Sequence, residues 1–263
     1  MKVKLIIISI ILLLVMVFAC GCIPFMEKIG LINPTNEEQL SPEKGGPPEQ
    51  ALPPEIEMGM FVNRPLSSPP WYPYECEETD SYRWAPKYYW TVPSIDVLVN
   101  PTASPFDTGD FVAVVTEVRK GFDAWNGVGT DYTATVSPDN TVSPSLDYPP
   151  DKVNTVSWGK IDGPGGIIAI TYFWYYTATK ELIDCDILFD EAEPWSISEI
   201  VLKDKFDVWN IATHEAGHTL NLADLRSPKD GALTMHAYTW LGDDMGRDLG
   251  TGDILGIQEI YGK

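Results

Sequence analysis

The stretch His214-Glu215-Ala216-Gly217-His218 determines how the rest of this sequence is interpreted. Positions four residues apart lie on one face of a helix, so the two histidines can project side by side. Two imidazoles in that arrangement can bind one Zn²⁺ ion at nitrogen–metal distances of about 2.0–2.1 Å. Glu215 would face a metal-bound water, whose proton a carboxylate can accept. Because the whole chain has only three histidines, this spacing predicts a metal site rather than a chance arrangement.

The residues after His218 offer an end to the helix and a third ligand. Asn221 belongs to the residue types that tolerate the left-handed conformation in which many helices end. Asp224 could supply a carboxylate oxygen where a third imidazole would otherwise bind, although a solvated loop residue is the alternative. A carboxylate ligand in place of an imidazole lowers the charge of the site by one. The metal-bound water is therefore expected to be less acidic, and the metal to be lost more easily, than with three histidine ligands.

Met235 and His236 follow the predicted helix and are two further candidates for the site. Met235 alone would be assigned to the core. His236 is expected to point away from the metal, because it adjoins a methionine that is predicted to be buried. A position behind the ligands or at the surface is therefore expected for His236, with a replacement zinc ligand as the alternative.

Hydrophobic periodicity predicts a mixed α+β domain over residues 76–263. Apolar residues from Phe111 to Trp125 recur at steps of four and three, which indicates a helix. A second helix is predicted over 206–220, with Asp204 near its start, and a third from near Thr251. The predicted strands are 89–99, 153–158, 167–176 and 182–189.

The charge balance excludes several kinds of partner. The 263 residues include 18 Lys and Arg against 38 Asp and Glu, for a formal net charge of −20. Nucleic-acid binding and adhesion to anionic lipid both require positive charge, so neither is expected. A hydrophobic content of 44% predicts a folded core, and four cysteines are too few for a disulfide-rich scaffold.

Residues 1–22 have the pattern of a secretory signal, with a basic start followed by an apolar run. The run ends at two cysteines, of which Cys22 is the stronger candidate for lipidation and Cys20 the weaker. The alternative is an uncleaved membrane anchor, because the apolar stretch is about long enough to span a bilayer. Either interpretation predicts an extracytoplasmic, membrane-anchored domain at the cell surface, and secretion is the remaining alternative.

Residues 23–75 are predicted to be a Pro-rich tether, because they contain 11 of the 22 prolines and show no apolar period. A shortened propeptide is the alternative, but Cys76 lacks the flanking arginine and glycine expected of an inhibitory cysteine. On the oxidising side of a membrane Cys76 and Cys185 are a disulfide candidate, against the alternative of two unrelated buried thiols.

Several segments in one order resemble the metzincin metallopeptidases, specifically a matrixin-like catalytic domain, over about residues 84–263. They are Phe122-Asp123-Ala124-Trp125, Asp162 to Ala169, Leu188 to Trp195, the zinc-binding stretch, Met235 and Asp253 to Gly262. The resemblance implies a zincin fold, with a twisted mixed sheet, an antiparallel edge strand, three helices and a zinc helix followed by a Met-turn. An Asp as third ligand resembles the snapalysin-type metzincins.

The same resemblance implies roles for individual residues. His214, His218 and Asp224 would bind the catalytic zinc, and Glu215 would act as general base and then general acid. Met235 would form the floor of the site. Further implied candidates are Tyr238 as an oxyanion aid and Asp162, Asp190 and Glu193 as calcium ligands, with surface carboxylates as the alternative for those three.

The family's second, structural zinc is expected to be absent, because Ile170 and Leu188 stand where the family has histidines. The sequence thus predicts a zinc-dependent endopeptidase, expected to be a monomer, that hydrolyses peptides or proteins outside the cell. A catalytically inactive surface protein on the same scaffold and a zinc hydrolase of a non-peptide substrate are the alternatives.

Overall fold

A seven-stranded mixed sheet organises the residues that the computed structural model describes, which are 55–66, 79–85 and 88–262. Four neighbouring strands run parallel, and a fifth, β5, joins them in the antiparallel direction. In spatial order the strands are β3 (Thr133–Pro138), β2 (Ser94–Asn100), β4 (Asn154–Gly159), β6 (Leu182–Asp190), β5 (Ala169–Tyr176), β1 (Ile56–Pro65) and β9 (Tyr238–Thr239).

Three α-helices accompany this sheet in the described part of the chain, α1 (Phe111–Asp123), α2 (Val208–Thr219) and α3 (Thr251–Tyr261). A separate short pair joins β7 (Trp195–Ser196) to β8 (Phe206–Asp207). This architecture confirms the predicted α+β class, with its mixed sheet, antiparallel strand and three helices. No helix among the described residues is long and apolar enough to cross a membrane.

The core lies between the sheet and the helices, and it holds the stretch from His214 to His218 in place. Val118 and Phe122 of α1 are buried, as the predicted helical period requires. Trp125, just beyond α1, donates its indole N–H to the Thr213 carbonyl of α2 at 2.8 Å. The end of α1 is therefore tied to the helix that carries His214 and His218.

The start of α2 differs from the sequence prediction. The helix begins at Val208 rather than at residue 206, with Asp207 as its N-terminal cap, since residues 206–207 are extended as β8. The Asp207 carboxylate accepts from the backbone N–H of Asn210 at 3.2 Å and pairs with the Arg247 guanidinium at 2.6 Å. A carboxylate at a helix N-terminus compensates the positive end of the helix dipole.

Strand β1 corrects the predicted extent of the Pro-rich tether. Residues 56–65 lie within the stretch 23–75, yet they pair antiparallel with β5 from Ile56 opposite Tyr176 to Asn63 opposite Ala169. The strand was not predicted because only Ile56, Gly59 and Asn63 are buried in it, a pattern without the period of two that indicates a strand. β5 is thus covered along its outer edge.

Smaller differences have local causes. The strand predicted over 89–99 begins only at Ser94, directly after Pro93, whose ring removes a backbone donor. Strand β3 was not predicted, although Ala134 and Val136 are buried in alternation with the exposed Thr133 and Thr135.

Of the four cysteines, only Cys185 lies among the described residues. Cys185 is buried in β6, whereas Cys20, Cys22 and Cys76 lie outside the described residues, with the rest of the signal segment 1–22. The disulfide and lipidation predictions therefore stay predictions.

Candidate active site

Helix α2 carries both His214 and His218, and their Nε2 atoms are free of hydrogen bonds. Both rings are buried. The Nδ1 atom of His214 lies 2.8 Å from the Thr234 carbonyl, and that of His218 lies 2.8 Å from the Leu222 carbonyl. A carbonyl can only accept, so in the neutral rings each Nδ1 carries the proton and each Nε2 has a lone pair that a metal ion could use.

Asp224 lies close to both histidines because the chain turns back after the end of α2. Its Oδ1 lies 3.4 Å from Nε2 of His214 and 3.4 Å from Nε2 of His218. The reversal takes place at Asn221, whose φ of 71° is left-handed, as the sequence predicted. The Asn221 N–H donates to the His218 carbonyl at 2.9 Å, which completes the helix end.

The electrostatics of this group favour a positive charge. Burial opposes protonation of His214, but the carboxylates of Asp224 and Glu215 outweigh it and raise the pKa of His214 to about 9. Burial likewise opposes ionisation of Asp224, yet the adjacent His214 and His218 hold its pKa far below the usual range. A metal cation would satisfy the same carboxylates without a proton on the rings.

Glu215 lies beside the histidines and is itself fully buried. Its Oε2 accepts a hydrogen bond from the Thr171 hydroxyl of β5 at 2.5 Å, while its Oε1 is buried without a hydrogen-bond partner. Within the described ranges, His214, Glu215 and His218 form a cluster whose potential ligand atoms all lie within 4.8 Å of one another. Sequence reasoning missed Thr171, since its contact with Glu215 depends on how β5 packs on α2.

Comparison with known proteins agrees with this geometry. The model of the matrixin peptidase family (Peptidase_M10) matches residues 107–262, which is more than half of the chain. The chain belongs to the matrixin family. The region that carries the histidines, Glu215 and Asp224 lies entirely within the matched residues.

Individual matrixin relatives match a shorter part of the chain. Interstitial collagenase of Bos taurus is 38% identical over 101 residues, covering 38% of this chain and 19% of the collagenase. "Probable matrix metalloproteinase 095L" of Invertebrate iridescent virus 3 is 32% identical over 101 residues, covering 38% of this chain and 25% of the viral protein. Stromelysin-3 of Mus musculus is 34% identical over 102 residues, covering 39% of this chain and 18% of stromelysin-3. The match thus spans at most a quarter of each relative.

Met235 packs against the helix that carries His214 and His218. Its side chain is 2% exposed and packs against Gly217, where an added Cβ would collide with the Met235 sulfur and lie 2.7 Å from the Trp125 ring. The stretch between the two histidines therefore needs a glycine for steric reasons.

A buried carboxylate on α3 holds the turn that contains Met235. Asp253 accepts from the backbone N–H groups of Thr234 at 2.8 Å, Met235 at 3.1 Å and Gly250 at 2.9 Å. Thr234 is also the residue whose carbonyl orients His214. Asp253 thus supports His214, a candidate metal ligand, through one intermediate residue, a role that the sequence pattern alone did not reveal.

His236 and Tyr238 follow that turn and line a cavity with His214. The His236 ring is buried, with Nδ1 3.3 Å from the Tyr238 carbonyl, and burial lowers its pKa. It does not join the three clustered residues named above. Tyr238 is 37% exposed in β9 and stacks edge-on against His236.

The three predicted calcium ligands surround the loop at 162–166. The Asp190 carboxylate accepts from the N–H groups of Asp162 and Gly163, and the Glu193 carboxylate from those of Gly165 and Gly166. Burial raises the pKa of Glu193, and the negative charges of Asp190 and Asp162 raise it further. The hydrogen bonds from Gly165 and Gly166 lower it in part. The carboxylates are therefore near enough to repel one another.

Proposed function

We propose that this matrixin is a zinc-dependent endopeptidase that hydrolyses peptide bonds. The observation that carries the proposal is the pair of buried imidazoles with free Nε2 atoms, faced by Asp224 and accompanied by Glu215. These residues could provide three protein ligands to a zinc ion and leave its fourth coordination position open. His214, His218 and Asp224 would be the ligands. When bound, zinc supplies Lewis-acid polarisation and lowers the pKa of water.

Glu215 is the proton carrier of the proposed reaction. Its Oε1 has no hydrogen bond and is available to accept the proton of the attacking water, while the Thr171 hydroxyl holds the other oxygen. Glu215 then gives that proton to the amine that leaves when the peptide bond breaks. The buried position of the carboxylate keeps the proton transfer away from bulk water. Tyr238, at the rim of the cavity, is proposed to stabilise the charge that develops on the substrate carbonyl.

Zinc removal tests the proposal directly. Treatment of the full chain with 1,10-phenanthroline should abolish casein hydrolysis, and a stoichiometric amount of Zn²⁺ should restore it, because the metal polarises the scissile carbonyl. Elemental analysis should find about one zinc per chain before treatment. Hydrolysis that continues at the same rate in the metal-free protein would contradict the proposal.

We further propose that the domain is displayed outside the cell through its N-terminus. The support is the basic and apolar sequence of residues 1–22, which ends at Cys20 and Cys22. The mature protein should carry a diacylglyceryl group on Cys22, with Cys20 as the second candidate. Mass spectrometry of the N-terminal peptide measures this, and an intact Met1 would exclude lipidation in favour of an anchor.

Calcium is proposed as a structural ion between Asp162, Asp190 and Glu193. The support is the position of the three carboxylates around one loop, where Asp190 and Glu193 accept its backbone N–H groups and the negative charges of Asp190 and Asp162 raise the pKa of Glu193. A hard cation would offset these charges. Calcium at millimolar concentration should raise the melting temperature by several degrees, because an ion that binds only the folded state stabilises it. Magnesium at the same concentration serves as the control, and an unchanged melting temperature with no bound calcium would rule the site out.

A further inference from the structure

Thr171 carries a hydroxyl group into the contact between β5 and α2. Its side chain is completely buried, and its neighbours Ala169, Ile170 and Phe173 are buried as well. A hydroxyl in such surroundings is unfavourable unless it makes a hydrogen bond. The structure gives it a partner on α2, because the Thr171 hydroxyl donates to Oε2 of Glu215 at 2.5 Å. A buried polar group of the sheet is thus aimed at the residue that we propose as the proton carrier.

This hydrogen bond makes the two oxygens of Glu215 unequal. Oε2 is occupied by the Thr171 hydroxyl, whereas Oε1 has no hydrogen-bond partner within the described part of the chain. The terminal torsion of a glutamate has a broad, two-fold preference, so a carboxylate that is held at neither oxygen can rotate. A hydrogen bond to an ionised acceptor is roughly twice as strong as a neutral one. The hydroxyl can therefore fix the plane of the carboxylate and leave Oε1 as the free acceptor.

The direction of the hydroxyl is set by the sheet. The backbone of Thr171 is paired on both sides, opposite Ile187 of β6 and opposite Phe61 of β1. Threonine is branched at Cβ, which restricts rotation about its first side-chain torsion. A donor on a doubly paired strand is held more precisely than a donor on a loop.

We propose that Thr171 is a positioning residue that occupies Oε2 of Glu215 and thereby assigns the proton transfer to Oε1. The inference rests on the proposed function, since it is the general base of that reaction that Thr171 orients. A displacement of about 1 Å at a reacting group can lower the rate by about 100-fold. The effect should fall on kcat, because the hydroxyl contacts Glu215 and none of the proposed zinc ligands.

Two substitutions separate the hydroxyl from the shape of the side chain. Thr171→Val keeps the branched shape and removes the hydrogen bond. Thr171→Ser keeps the hydroxyl and loses only the methyl group that restricts it.

Thr155→Val is the matched control. Thr155 of β4 is 1% exposed and donates its hydroxyl to the buried carboxylate of Asp186, also at 2.5 Å. Asp186 stands opposite Thr155 and opposite Tyr172, the residue after Thr171. Successive residues of a strand face opposite sides, so this pair lies on the other face of the sheet. The control removes the same kind of hydrogen bond away from the candidate site.

Steady-state kinetics on the zinc-loaded full chain, with a fluorogenic peptide as substrate, measure the effect. We expect Thr171→Val to lower kcat by about 10- to 100-fold, with KM and zinc content unchanged. Thr171→Ser should recover most of the lost kcat. Thr155→Val should lower the melting temperature, since it too loses a buried hydrogen bond, but it should keep the kcat of the parent chain.

A double-mutant cycle with Glu215→Gln tests whether Thr171 acts through Glu215. Glutamine cannot take the proton, so Thr171→Val should lower kcat no further in that background, whereas independent residues would give additive losses. Parent-like kcat in Thr171→Val, an equal loss in Thr171→Ser or Thr155→Val, or additive losses in the cycle would overturn the positioning role and leave the proposed function intact. A parent chain that binds zinc but hydrolyses no peptide would instead overturn the proposed function, and this role with it.

Discussion

Substitution of Glu215 by glutamine is expected to lower kcat/KM for peptide hydrolysis by about 10²–10⁴-fold, the usual contribution of a general base. Glutamine has nearly the same shape and can still meet the Thr171 hydroxyl, but it cannot take a proton from water. Because Glu215 is not among the proposed ligands, zinc content should stay at the level of the parent chain. Steady-state kinetics and elemental analysis of the same preparations measure both effects.

Glu117→Gln is the matched control for this experiment. Glu117 is also a buried glutamate, but it lies on α1, where it pairs with Lys120 at 2.8 Å. Its substitution should leave kcat/KM unchanged. Full peptidase activity in Glu215→Gln would remove this residue from the mechanism. Hydrolysis of a non-peptide ester alone, lost in the same variant, would favour the non-peptide hydrolase.

Substitution of Asp224 by asparagine is expected to weaken zinc binding by at least about 100-fold. The amide keeps the shape of the side chain but lacks the negative charge that offsets the metal ion, and it is a poor ligand for zinc. Second-layer changes at zinc sites already cost about 10–100-fold, so loss of a direct ligand should cost at least the upper end of that range. Competition with a chromogenic chelator measures the dissociation constant.

Two companion variants make the result specific. Asp224→His restores a strong ligand and should retain zinc more tightly than Asp224→Asn. Asp244→Asn removes the same charge from an exposed position outside the site and should bind zinc as the parent chain does. Parent-like zinc affinity in Asp224→Asn would show that the carboxylate is a neighbour of the histidines and no ligand.

Much of the candidate site could be predicted from the sequence because its parts are close along the chain. His214 and His218 share a face through the period of one helix, and Asn221 ends that helix by a local backbone preference. α1 was likewise predictable, since its buried residues repeat at the helical period. Each of these features depends on a short run of neighbouring residues, at most the 15 from Phe111 to Trp125.

The contacts that complete the site join residues far apart in the sequence. Thr171 reaches Glu215 across 44 positions, and Asp253 reaches Thr234 across 19. Neither pairing leaves a local period or spacing to detect. Both follow from how β5 and α3 pack around α2, which is a property of the folded core.

The sequence by itself determined the donor atoms and the class of domain, because spacing on one helix and hydrophobic period are local properties. Only the tertiary structure decided that residues 56–65 form a strand along the outer edge of β5. Their pairing with β5 spans more than a hundred positions, and their buried residues follow no simple alternation. Strand pairing is set by the partner's exposed backbone groups, which the sequence of β1 alone does not contain.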